Sequence, residues 1–205
     1  GGLAAVRPRD HAVRASLALR LLTDFALVYV AVAGQLLRRD SETGLLRHIL
    51  HVQLPAVGAE SKTGAADPGW DGGERAGYAL LAMCVRSPEA RRRILGEVAK
   101  ALRHGAEGTG TESAAATGPA RAFVELVNSL VKTAASKATL AGELQRGMRD
   151  AELLPALCAA LERVDLNDPD APTIVNAILR PMEALTRPGA GTKGAGAGAR
   201  GGTGD

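Results

Sequence analysis

Two cysteines and a pair of histidines are the side chains of this sequence best suited to covalent or metal chemistry. A nucleophilic thiol needs its pKa lowered by a nearby cation or a helix N-terminus, together with access to a substrate. Cys84 stands between Met83 and Val85 near the end of a predicted helix, where the dipole opposes a thiolate. Cys158 stands in mid-helix between Leu157 and Ala159. Both read as buried structural thiols. They form no CxxC pair and no disulfide-dense pattern, which suits a reducing compartment. His48 and His51 are three apart and share a helix face, enough for two ligands of a zinc site. Such a site needs three or four, and no neighbouring cysteine or HExxH pattern completes it. His11 and His104 have no visible partners. The link from Asp165 to Asp170 has the acidity of a metal loop but not the spacing or closing glutamate of an EF-hand, so it reads as helix caps. No phosphate-cradling glycine motif and no GxSxG elbow occurs. The sequence therefore assigns no catalytic, cofactor-binding or metal-binding residue.

The charged side chains are equally undirected. The formal net charge of the 205 residues is +3, and aromatic residues make up 2%. A nucleic-acid binder gathers its cations on one face and offers aromatic platforms, whereas here arginines are scattered among acids. The densest cluster, Arg91-Arg92-Arg93, is followed by Glu97 on a predicted helix. The pairs Arg38-Arg39 and Arg146 with Arg149 read either as groove-facing recognition surface or as solvated helix ends. No apolar run approaches the ~18 residues that suggest a membrane span.

The elements that would position these residues are helices. Hydrophobic residues are 46% of the chain, and with few aromatics the core must be Leu, Val, Ile and Ala, which suits helix-on-helix packing. Residues 1–11 read as a flexible lead-in and 12–40 as two helices parted near Thr23-Asp24, with Asp24 as a cap. A third helix runs from Gly44 to Leu54 and stops at Pro55; residues 56–72 read as a loop. A helix from Glu74 to Arg86 should carry Tyr78, Leu81, Ala82 and Val85 on one face. Ser87-Pro88-Glu89 then starts another, since serine caps, proline suits the first helical position and glutamate suits the dipole. After a second loop at 105–118, helices are expected over 119–135, 139–148, the stripe Leu153, Leu154, Leu157, Leu161 and Val164, and 173–186 with a kink at Pro181. Residues 188–205 are a low-complexity Gly/Ala-rich tail, expected to be disordered. Gly-Leu-Leu at 44–46 and Glu-Leu-Leu at 152–154 form a faint internal echo, each opening a leucine-rich helix. The expected fold is all-α, an armadillo-like helical repeat or α-solenoid over 12–187. A chain that opens Gly1-Gly2-Leu3, has its first methionine at Met83 and ends in a glycine-rich stretch reads as a piece of something longer.

Four stretches carry a more specific signal: LLTDFALVYVAVAGQLLRRDSE (21–42), GLLRHILHVQLP (44–55), ERAGYALLAMCVRSPEARRRIL (74–95) and ELLPALCAALERVDLNDPDAPTIVNAILRPMEALTR (152–187). In that order they resemble consecutive segments of the giant HECT-type ubiquitin ligases of the plant UPL type, and the last also resembles the animal HUWE type. The shortened loop at 56–72 and the Gly/Ala-rich tail depart from the family pattern. The resemblance implies an α-solenoid upstream of a C-terminal HECT domain, which takes ubiquitin from a conjugating enzyme as a cysteine thioester and passes it to a substrate lysine. No HECT motif occurs in this chain, so no catalytic residue is carried over. The resemblance thus implies a non-catalytic scaffold segment whose parent meets protein substrates and a ubiquitin-conjugating enzyme in the cytoplasm, the nucleus or both. Two other readings compete: a stand-alone armadillo-like adaptor without ligase activity, and an enzyme using Cys84 or Cys158.

Overall fold

The computed structural model describes residues 8–57, 72–104, 114–136 and 138–187, and among these it holds nine α-helices and no strand. They are α1 (Pro8–Val28), α2 (Val30–Thr43), α3 (Leu45–His48), α4 (Gly72–Arg86), α5 (Pro88–His104), α6 (Ala114–Ala135), α7 (Ala138–Asp150), α8 (Leu153–Glu162) and α9 (Ala171–Thr186). After α3 the chain stays coiled, as a π-turn over Ile49–Gln53 and a 3-10 turn over Leu54–Val57. The packing has a period of three: α1 lies on α4, α2 on α5, the 3-10 turn after α3 on α6, α5 on α8, and α6 on α9. Three-helix units stacked on one another produce that pattern, and the expected all-α helical repeat is what the chain adopts. The expected tail, 188–205, and most of the first expected loop, 58–71, lie outside the described residues.

Several boundaries differ from those expected. Helix α1 begins at Pro8, inside the stretch read as a lead-in. The break between the first two helices falls at Tyr29, with φ −112° and ψ 103°, and not near Asp24. Thr23 stays helical by donating its hydroxyl to the Leu19 carbonyl, 2.8 Å away. Val28, Tyr29 and Val30 are β-branched or aromatic, hence poor helix formers, and there the helix gives way. Helix α6 begins at Ala114, so 114–118 are helical and Pro119 lies inside the helix. The alanine run that precedes the proline has the helix propensity to start it.

The face read on α4 is divided: Ala82 is buried, and its other members lie at the margin of the core. Ala76, Ala79, Leu80, Met83 and Cys84 are buried, whereas Tyr78 is mostly exposed and Leu81 and Val85 are half-buried. Small alanines let neighbouring helices approach on the buried side, and the larger side chains are left at the margin.

Ser87 caps α5 as expected, accepting the Ala90 N–H at 3.2 Å. The proline after it creates a need that the sequence does not show. The Cys84 carbonyl would accept from residue 88, but proline has no N–H. Arg91 answers, with Nε donating to that carbonyl at 2.9 Å. Pro181 does the same to Ala177 inside α9, and Asn128 of α6 donates its amide to the Ala177 carbonyl at 2.9 Å. Two carbonyls orphaned by prolines are thus satisfied by side chains from other helices, and the second contact ties α6 to α9.

The echo between residues 44–46 and 152–154 has a backbone counterpart. Gly44 (φ 60°) and Glu152 (φ 53°) are the positive-φ residues among those described, each directly before a Leu-Leu pair that opens a helix. Gly44 donates its N–H to the Asp40 carbonyl at 2.7 Å, and the Asp40 carboxylate accepts the Leu46 N–H at 2.6 Å. Glu152 holds the same left-handed corner without glycine's freedom and pairs with Arg103 of α5.

Candidate functional site: a groove between helices α1, α4 and α6

The side chains singled out for chemistry are not brought together. Cys84 is fully buried in α4, and burial pushes its thiol up to about 12, with Arg91 opposing the rise. Cys158 corrects the expectation: it is exposed, on the outward side of α8. It sits in the middle of that helix, where no N-terminal dipole favours a thiolate. The two histidines diverge. His48 ends α3 with its Nε2 3.1 Å from the Gln53 amide nitrogen, while His51 lies edge-on to the Phe123 ring, centroids 5.6 Å apart. Partial burial lowers the His51 pKa, with Glu97 acting against this and Arg47 adding to it. Among the described residues no three His, Cys, Asp or Glu side chains gather. In the acidic link, Asp165 accepts the Asn167 N–H at 3.0 Å and Asp168 accepts the Asp170 N–H at 2.9 Å, so these carboxylates shape turns.

The arginine cluster is built into the fold. Arg91, 5% exposed, adds to its carbonyl contact an ion pair with Glu143 of α7 at 2.8 Å, which holds that carboxyl below its usual range. Gly147 lets α7 come this close, since a Cβ there would meet Leu95 at 3.3 Å and Arg91 at 3.8 Å. Arg93 pairs with Glu89 and donates to the Leu37 carbonyl of α2 at 3.0 Å. Of the three cations, two join helices and leave no continuous basic face for a phosphate backbone. Arg38, Arg39, Arg146 and Arg149 do not line the groove described next.

That groove is the feature sequence reasoning missed. It is an open trough of about 380 Å³ where α1 meets α4, reaching Thr133 of α6. Its floor is apolar: Leu27 from α1, with Tyr78, Leu81, Ala82 and Val85 from α4. These last four are the residues read on one face of the helix, and that face lines the groove, with Ala82 also buried in the core. Arg20, Thr23 and Asp24 of α1 and Arg75 of α4 form the polar edge. Arg75 buries its Nε without a hydrogen-bond partner, a cost of about 1–3 kcal/mol that an incoming acceptor would recover. A second recess of about 240 Å³ between α4, α6 and the 3-10 turn shares Tyr78 and Leu81 with the first. An apolar floor with a few polar groups on its rim can seat a peptide or helix by its apolar side chains. No helix of the described residues is long and apolar enough to cross a membrane.

Comparison with known proteins adds a similarity in sequence. The chain is similar to E3 ubiquitin-protein ligase UPL2 of Arabidopsis thaliana, at 29% identity over 202 residues, covering 87% of this chain and 6% of that protein. It is similar also to E3 ubiquitin-protein ligase UPL1 of the same plant, at 29% identity over 204 residues, with the same shares covered. The chain therefore spans about 6% of the length of the curated relatives it matches. No family model and no solved structure matches it. In sequence the chain is thus similar to one short stretch of two UPL-type E3 ubiquitin-protein ligases, the type that its four stretches resemble.

Proposed function

We propose that this chain is a non-catalytic scaffold segment of a HECT-type E3 ubiquitin-protein ligase, and that it binds and positions protein substrates for ubiquitination. The observation that carries the proposal is the similarity to UPL2 and UPL1 over 87% of the chain, in a structure that carries an open apolar groove. In a ligase of this type, ubiquitin moves from the conjugating enzyme to a HECT cysteine, and the substrate lysine then attacks that thioester. Neither cysteine of this chain suits the acceptor role. Cys84 is sealed in the core, and Cys158 stands in mid-helix, away from any helix N-terminus. The segment would instead contribute proximity: a substrate held in the groove raises the local concentration of its lysines near a thioester carried elsewhere on the parent. Its partners would be substrate proteins and, through the parent, the conjugating enzyme, in the cytoplasm, the nucleus or both.

The test is made in the full-length ligase with Arg20→Glu combined with Leu27→Asp, two groove side chains exposed enough to change without disturbing the core. Ubiquitin thioester formation on the parent should proceed at the wild-type rate. Ubiquitin-remnant peptides of its substrates, quantified by mass spectrometry from cells carrying either form, should fall about tenfold for those held here, as a loss of ~1.4 kcal/mol dictates. Unchanged remnants would remove the groove from substrate binding. A thioester formed on the isolated chain would overturn the non-catalytic reading.

A further inference from the structure

Helix α1 is apolar on two opposite sides, and only one is covered. Leu19 and Ala26 are buried on the side that meets α4. Val13, Leu17, Leu21, Phe25 and Val28 follow one another at intervals of four, four, four and three residues, and each is between 50% and 65% exposed. At 100° per residue these five fall on one stripe, centred opposite Leu19 and Ala26. A helix with apolar residues on both sides has the composition of a buried helix. The opposite end of the stack differs: the outward side of α9 shows Thr173, Asn176, Arg180 and Glu183, which water solvates, with Leu179 alone among them.

We infer that the outer stripe of α1 is an interface inside a longer polypeptide, covered by another helical repeat of the same chain. The inference rests on the proposed reading of a large parent ligase. Its occupant follows from the packing of the stack, in which α1, α2, α5 and α6 each lie against the helix three places on. A further unit continuing that rule places an apolar helix against α1 on the side that α4 leaves free. Relatives of which this chain spans 6% have ample chain to supply it. A covering helix should carry aliphatic residues at matching i, i+4 spacing, with an acid to meet Arg14 and a base to meet Asp24, the two charged residues that fall within the stripe's arc.

The experiment places the photo-reactive benzoylphenylalanine at Leu21 in the full-length parent, with Asn176 on α9 as a second position. Parent chains labelled light and heavy are mixed before irradiation, and cross-linked peptides are sequenced. The expected result is a cross-link from position 21 to a peptide of the same copy outside residues 1–205, with light–light and heavy–heavy pairs only. Light–heavy pairs would show a second copy on the stripe, and a link to another protein would show an external partner. Either outcome overturns the inference, as does position 21 reacting with no peptide. HECT peptides in the same digest read the ligase assignment separately, so loss of that assignment and loss of this interface give different results.

Discussion

At the scale of single residues, burial decides what each side chain can do. Cys84 and Cys158 look alike in sequence, each flanked by apolar neighbours on a helix, yet one is sealed and the other open. A thiol reagent added to the native chain should modify Cys158 within the mixing time or soon after, and Cys84 only once the chain unfolds. Mass mapping of the labelled peptides reads this directly, and rapid native labelling of Cys84 would contradict the core described for α4. The pair of Arg91 and Glu143 makes a second prediction. The Glu143 carboxyl is held below its ordinary value of 4.5 first by the hydrogen bond from Arg91 and then by that residue's charge. Its contribution to stability is therefore present above the unfolded-state pKa and is lost as pH falls through the folded one. Urea melts from neutral pH downward should show a decline in this acid range that is shallower in Glu143→Gln, with equal slopes counting against the pair. Glu143 itself was not legible as a partner, because nothing in the sequence says that Gly147 brings α7 against α5.

At the scale of elements, the sequence reported where helices stop and start better than what holds them together. Ser87-Pro88-Glu89 could be read as a helix start because capping is local, whereas the acidic link after α8, read as helix caps, shapes turns and gives α9 no side-chain cap. The break at Tyr29 was misplaced because Asp24 offered a plausible cap while Thr23 found a helical hydrogen bond of its own. Tyr78, Leu81, Ala82 and Val85 were legible as sharing one face of α4, but not that its larger members would sit at the margin of the core. The tight packing of α4 instead favours its alanines, and Tyr78, Leu81 and Val85 were free to form a groove. Pro181 was legible as a disturbance of α9, but not Asn128 as its remedy, 53 positions earlier in the numbering. That coupling is testable. Asn128→Ala should cost about 1–3 kcal/mol by leaving the Ala177 carbonyl without a partner. In a Pro181→Ala background, where the helix regains an N–H for that carbonyl, the cost should shrink by about 1 kcal/mol or more. Thermal or urea denaturation of the four chains measures it, and additive effects would mean that the two residues do not share one acceptor.

At the scale of the whole molecule, a stack with period three explains both features that water would not select. One is the trough between α1, α4 and α6, floored by residues that a closed core would have taken in. The other is the bare apolar stripe along α1. Both suit a unit that works inside a larger assembly, and the similarity to a small share of UPL2 and UPL1 points to the same scale. The resemblance was visible in four stretches of sequence, and one of them, CVRSPEARRRI, includes the capped corner between α4 and α5 where Arg91 and Arg93 join helices. What such a stretch preserves is a way of stacking helices; the groove arises between stretches and shows only in three dimensions.

The most direct measurement is the identity of the native polypeptide that carries these residues. Material captured with an antibody to residues 120–187 would be resolved by size and mapped by peptide sequencing. The account predicts peptides of this chain and of a HECT domain on one polypeptide far larger than 205 residues. A native chain of about this size, with no HECT peptides, would contradict it and leave a stand-alone helical-repeat adaptor.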